Sequence, residues 1–300
     1  MSGISKIIKN RIKSVGSAHN ITKAMQMVAA AKIKKAVSNL MASRVYAKHA
    51  RELLTSLSKE KSLRHPLLIK PKKAENKELL IVIASNRGLC ASYNINVIKA
   101  SAEYLRRNKD KKIDLIVVGK KAESILKEAK GNVIASFVNF PDDFDADDIA
   151  PLYKMVIDEF TKENYSKVLI AYTDFISSLK YEAKVNSILP ITKESLSEIL
   201  ETENGTGFKK TEAVILFEPE EDLVLDLVLP RLTEVRIYQA LLEASASEHS
   251  ARMIAMKNAT DNAESMIQEL TLFYNQARQS GITQEIAEIS GGTEALTNFE

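Results

Sequence analysis

Several places in this 300-residue chain carry residue types that do chemistry elsewhere. Gly119-Lys120 resembles the end of a phosphate-binding loop, but the glycine required five positions upstream is Asp114, so the pattern fails. The turn Ser85-Asn86-Arg87-Gly88-Leu89-Cys90 follows an apolar run and opens a helical pattern, where open α/β sheets often bind nucleotide. It holds one glycine where a dinucleotide fingerprint has three. The simpler reading is a turn in which Gly88 supplies a special backbone conformation. Cys90 has no histidine nearby in sequence to activate it, which favours buried packing over nucleophilic work. His19, His49, His65 and His249 are scattered without metal-ligand spacing, and helix-surface or linker roles are expected. No catalytic group, metal or cofactor is therefore expected.

Charge is the next candidate chemistry. Residues 1–73 carry 17 Lys and Arg against Glu52 and Glu60 only, leaving 25 basic and 37 acidic residues for the remainder. Such a basic segment could grip phosphates, yet it lacks interleaved aromatics and any nucleic-acid reading module. It also has the look of an organellar transit peptide, but it is Lys-rich and its helical pattern runs past Leu40 without a processing boundary. The reading is a structural helix whose excess charge steers it toward an acidic protein partner, with no nucleic acid involved. A single cysteine excludes an intrachain disulfide framework and fits a reducing, cytoplasmic setting. The longest apolar runs, such as 79–84 and 223–229, are too short to cross a bilayer.

The elements around these residues have a clear order. Apolar positions Ile8, Ile12 and Val15 continue through Thr22, Met25, Ala29, Ala36 and Leu40, predicting a long amphipathic helix to about Leu57. His65-Pro66 and Pro71 mark a linker. Short apolar runs then alternate with helical patterns, predicting an open α/β sheet. Strands are expected at 79–84, 113–118, 133–137, 168–172, 184–189 and 213–217, and helices at 91–107, 120–130 and 149–162. An acidic run from Asp142 to Asp148 favours the N-terminus of the last of these helices. Residues 193–211 read as a loop.

From about Glu220, with Pro219 in its first turn, a second helix runs to Leu296. Its expected seam is Met256, Ala259, Ala263, Met266, Leu270, Phe273 and Ala277, a three-four rhythm that specifies a coiled coil. One helix of that span is roughly 110 Å long and cannot bury itself against its own domain. The fold class is therefore α/β, with a long antiparallel coiled coil of the terminal helices and a central Rossmann-like open α/β domain. The expected divisions are 1–73, 74–218 and 219–300. Aligning the ends at Leu57 and Glu220 makes facing residue numbers sum to about 277. Beyond Ala277 the apolar stripe shifts to Ile282, Ile286, Ile289 and Leu296 with no intrachain partner, which predicts a surrounding protein. Pro230 is expected to kink the early part of this helix.

Three stretches resemble gamma subunits of the rotary F-type ATP synthases. They are the run from Ile21 to Lys32, the run from Ser247 to Ala263, and Tyr274-Asn275-Gln276-Ala277-Arg278-Gln279 followed by Ile282-Thr283-Gln284-Glu285-Ile286. The likeness spans the chain and is weakest from about 120 to 210. It implies a non-catalytic rotor shaft of the bacterial type, inside a ring of alpha and beta subunits, with the α/β domain as a foot on the membrane c-subunit ring. An epsilon subunit is an implied partner. The implied location is peripheral, at the cytoplasmic face of the inner membrane, in a complex that couples ion transport to ATP synthesis or hydrolysis. Carried over by position, Arg278 and Gln279, with Thr283 and Glu285 nearby, form a polar catch on the catalytic subunits. Lys23 and Met25 lie where a catalytic subunit's lever presses, with Arg252 across the coil from Met25. The family's turn reads Asp-Arg-Gly-Leu-Cys-Gly-Gly, whereas Asn86, Ala91 and Ser92 stand here. The alternative is a nucleotide-dependent α/β enzyme with a coiled-coil dimerisation arm.

Overall fold

The computed structural model describes residues 3–57, 65–71, 73–128, 132–138, 140–141, 144–192 and 221–297. The expected strand at 213–217, the loop at 193–211, Pro219, Asp142 and Asp143 lie outside them. The elements are α1 (Gly3–Leu57), a 3-10 turn (Pro66–Leu68), β1 (Lys77–Ile83), α2 (Tyr93–Arg107), β2 (Lys112–Val118), α3 (Lys120–Glu128), β3 (Val133–Phe137), α4 (Ala150–Thr161), β4 (Lys167–Ser177), β5 (Lys180–Leu189) and α5 (Glu221–Thr297). They fall into two compact units, Ala31–Ala251 and Met1–Ala30 with Arg252–Glu300.

In the first unit the sheet order is β3-β2-β1-β4-β5. The first four strands are parallel, and β5 returns antiparallel along β4 as a hairpin. β1 is apolar from Leu79 to Ile83 and β2 from Leu115 to Val118 because helices cover both faces of the sheet there. Side chains alternate between faces along a strand. Leu79, Ile81 and Ile83 pack with Leu152 and Val156 of α4 and with Leu229, Leu232 and Leu241 of α5. Leu80 and Val82 face the other way, toward Val97 of α2 and Ala122 and Leu126 of α3. Ala36 and Leu40 of α1 cluster with Phe175 of β4 and with Leu242 and Ala246 of α5. α5 continues through Pro230 as helix.

A buried carboxylate is tied into the sheet. Asp114 of β2 meets the Lys77 ammonium at 3.0 Å, accepts from the Tyr165 hydroxyl at 2.8 Å and accepts from the Asn132 amide at 2.5 Å. Burial pushes its carboxyl up, but the three hydrogen bonds and the lysine charge outweigh it, so Asp114 sits below the ordinary carboxylate range. Tyr165 is correspondingly pushed up by burial and by the carboxylate it serves.

The second unit is an antiparallel helix pair. Along its part of α1 the least exposed positions include 5, 8, 12, 15, 19, 22, 26 and 29, an unbroken three-four alternation. Along α5 they include 256, 260, 263, 267, 270, 274 and 277. The hydroxyls of Thr22 and Thr260 lie 2.8 Å apart across the seam, so facing numbers sum to 282, not 277. Subtracting the α1 positions from 5 to 26 above from 282 gives these α5 positions one for one. The expected register is five residues out because it rests on matching Leu57 with Glu220, whereas the Thr22–Thr260 contact sets it.

The seam residues themselves change as well. Met266 and Phe273 are exposed, at 46% and 58%. Ile267 and Tyr274 take their places against α1, and Thr260 is buried where Ala259 was expected. Thr260 tolerates that position because its hydroxyl is bonded both to Thr22 and to the Met256 carbonyl at 2.8 Å.

Candidate functional site

Three backbone amides at the turn after β1 are already engaged by acceptors of the protein itself. The Ser85 amide donates to Asn94 Oδ1 at 3.0 Å. The Lys120 and Lys121 amides, at the start of α3, donate to Asn86 Oδ1 and the Ser85 carbonyl, both at 3.1 Å. Groups that would cradle an anion are already engaged by the turn's own atoms. Cys90 is buried, with the Asn94 amide donating to its sulfur at 3.2 Å. Left-handed backbone occurs at Leu89 (φ 61°) and Ala91 (φ 48°), which corrects the expectation that Gly88 supplies it. The glycine whose conformation matters is Gly119, with φ 93°, where a Cβ would stand 2.1 Å from the Ala84 carbonyl oxygen. That close approach carries the end of β2 past the end of β1, and the Gly119 amide donates to the Phe137 carbonyl at 2.9 Å.

His65 and His249 are likewise occupied or packed. His65 accepts the Leu67 amide on Nδ1 at 3.1 Å, which leaves Nε2 to donate to Asp226 at 3.0 Å. His249 is buried, where a helix-surface place was expected. Among the described residues no group of His, Cys, Asp or Glu could hold a metal ion.

The remaining residues singled out in the sequence lie on the helix pair. Lys23 is exposed and Met25 half-buried. The register puts Met25 across from position 257, while Arg252 is buried and falls across from position 30. The pairing of Arg252 with Met25 that the family likeness implies is therefore not made in this register. Arg278, Gln279, Thr283 and Glu285 are all exposed within two turns of α5. The Thr283 hydroxyl donates to the Gln279 carbonyl at 3.0 Å, so it is turned along the helix. The structure therefore gathers these four and separates them from Lys23 and Met25. Positions 257 and 278 are about 30 Å apart along a helix.

Apolar side chains missed by the sequence reading surround both groups. Ile21, Met27 and Val28 are exposed on α1, and Leu272 and Phe273 on α5. The 282 sum sets Gly3, the first described residue of α1, across from Gln279. Ile282, Ile286 and Ile289 lie beyond that point, at 47%, 59% and 71% exposure. The available signal for the outward set was the Thr22–Thr260 pair, since it selects which neighbour in each heptad turns inward.

Comparison with known proteins extends over nearly the whole chain. The family model described as ATP synthase matches residues 5–296. The ATP synthase gamma chain of Burkholderia multivorans is 36% identical over 299 residues, covering 99% of this chain and 100% of that one. The gamma chain of Dehalococcoides mccartyi is 35% identical over 294 residues, covering 97% and 98%. Among solved structures, a chain of the Euglena gracilis mitochondrial ATP synthase in an OSCP/F1/c-ring structure has the same fold. Its TM-score is 0.66 at 22% identity, covering 98% of this chain and 95% of that one. A chain from the central stalk and c-ring structure of the Tetrahymena thermophila mitochondrial enzyme has TM-score 0.57 at 28% identity, covering 80% and 99%. A family match over nearly the whole chain and gamma-chain relatives at 35–36% identity along nearly their full length lead to one conclusion: this chain belongs to the ATP synthase gamma-chain family.

Proposed function

We infer that this chain is the central rotor shaft of a bacterial F-type ATP synthase, a non-catalytic part that couples ion flow to conformational cycling of a catalytic alpha/beta hexamer. The observation that carries the reading is the end of α5, where Ile282, Ile286 and Ile289 stand exposed beyond the reach of α1. An apolar stripe of this kind marks a surface that other chains cover. A sheath of catalytic subunits supplies that cover. Arg278, Gln279, Thr283 and Glu285 then act as a polar catch, and Lys23 and Met25 meet the lever of a catalytic subunit.

The mechanism follows from symmetry. One asymmetric helix pair on the axis of a threefold ring cannot touch three catalytic sites alike. Each angle favours a different conformation at each site, and a ligand or partner shifts an equilibrium only by its differential contact with the states. Rotation becomes ordered substrate binding and product release. The sheet unit serves as the foot on the c-subunit ring, with an epsilon subunit beside it. The chain sits peripherally at the cytoplasmic face of the inner membrane. Among the described residues no helix is long and apolar enough to cross a bilayer.

Affinity purification of the tagged chain from its membranes tests this. An ATPase whose alpha and beta subunits outnumber the tagged chain threefold should co-purify, and the isolated chain should neither bind nor hydrolyse ATP. A chain that purifies alone, or that turns over ATP by itself, sinks the reading and returns the nucleotide enzyme.

A further inference from the structure

The part of α5 that lies on the sheet is held in two physically different ways. Leu229, Leu232, Ile237 and Leu241 are buried in the core shared with β1 and β4. Apolar burial is non-directional, so it opposes lifting the helix from the sheet more than it opposes turning the helix about its own axis. Directional bonds are a separate set. Arg236 Nη1 donates to the Ile188 carbonyl at 2.8 Å, and Nη2 donates to the Ser187 carbonyl at 2.5 Å. These are successive carbonyls of β5. The Ser247 hydroxyl donates to the Thr173 carbonyl of β4 at 3.2 Å. Residues 236 and 247 are about three helical turns apart and so share one face.

We propose that the Arg236 fork on the Ser187 and Ile188 carbonyls is a torque key, a positioning contact that locks the rotational setting of α5 to the sheet. The inference rests on the rotor reading and names residues that such a rotor needs. A planar guanidinium satisfied by two acceptors has one productive orientation. Side-chain groups ride roughly 5–6 Å from a helix axis, so a turn of about 30° carries the fork about 3 Å, out of hydrogen-bond range. Under load, a helix without the fork has less to oppose its twisting, although the Ser247 bond to the Thr173 carbonyl remains. Nucleotide turnover then proceeds while part of each step is lost before it reaches the foot.

The test uses the assembled complex in membrane vesicles, measuring ATP hydrolysis and ATP-driven ion pumping together. Arg236→Met keeps the apolar stem and removes the donors. Arg236→Lys keeps the charge but cannot fork. The expected result is hydrolysis within about twofold of the parent, with pumping per ATP lowered about threefold or more in Arg236→Met and less in Arg236→Lys. A purely structural role would lower both rates together and leave their ratio alone. An unchanged ratio in Arg236→Met overturns the key. If that variant does not assemble, Arg236→Lys decides, a lowered ratio supporting the key and an unchanged one overturning it. Leu270→Asp runs alongside as the control. Coupling lost there but intact in the Arg236 variants removes the key alone, and coupling intact in all of them removes the rotor reading beneath it.

Discussion

The register of the helix pair rests on one contact that can be measured directly. Thr22 and Thr260 share a hydrogen bond of 2.8 Å, and each hydroxyl also lies near a carbonyl of its own helix, His19 at 3.0 Å and Met256 at 2.8 Å. Replacing either by valine keeps the shape and removes the hydroxyl. A typical buried hydrogen bond contributes about 0.5–1.5 kcal/mol net, and the local carbonyl left to the remaining hydroxyl puts each single variant near the low end, about 0.5–1 kcal/mol. The double variant leaves no hydroxyl short of its cross-seam partner. Its cost should fall well below the sum of the singles, giving a coupling of about 0.5–1 kcal/mol. Urea unfolding of the full chain, followed by helical circular dichroism through the coil transition, measures all four corners. Strict additivity would mean that the two threonines do not meet, and the 282 register would fall with them.

Other expectations follow from the same geometry. Leu270→Asp, set by the register across from Ile12, and Ala263→Asp, at a buried seam position, each put a carboxylate into the helix pair and should uncouple ion flow from synthesis; parent-like ATP synthesis in vesicles would contradict this. Arg278→Ala combined with Gln279→Ala should leave helicity unchanged, since both side chains are exposed, yet weaken coupling or assembly, and unaltered ATPase kinetics in the complex would refute the catch. Gly119→Ala and Ala91→Gly should move stability in opposite directions in a thermal melt. The first forces a Cβ into the Ala84 carbonyl and costs several kcal/mol, whereas the second relieves a left-handed alanine and gains up to about 1 kcal/mol. Because the Asp114 carboxyl is held below its ordinary value of 3.8, its contribution is present above that pH and is lost as pH falls through the lower native value. Asp114→Asn should therefore flatten the acid limb of the stability curve, and an identical limb in parent and variant would show the carboxylate is not what acid titrates.

Local pattern was enough for the elements and their order. A strand segment buried on both faces is apolar on both, so 79–83 of β1 and 115–118 of β2 are visible as unbroken runs, and the helical period marks α1 and α5 with equal clarity. The sequence stretches around Met25, Arg252 and Arg278 carry the family likeness without help from coordinates. Those are properties of residues read one segment at a time.

The facing of one segment on another is a different matter. Each heptad of α5 offers adjacent candidates for the seam, Ala259 or Thr260, Met266 or Ile267, Phe273 or Tyr274, and periodicity alone favours neither frame. Only the partner helix selects, because burying Thr260 is tolerable once Thr22 stands opposite, and that choice turns Met266 and Phe273 outward. The fork of Arg236 on β5 and the pinned Asp114 share this character. Each depends on atoms distant in the chain, whose mutual positions are decided by packing and hydrogen-bond closure after the elements exist.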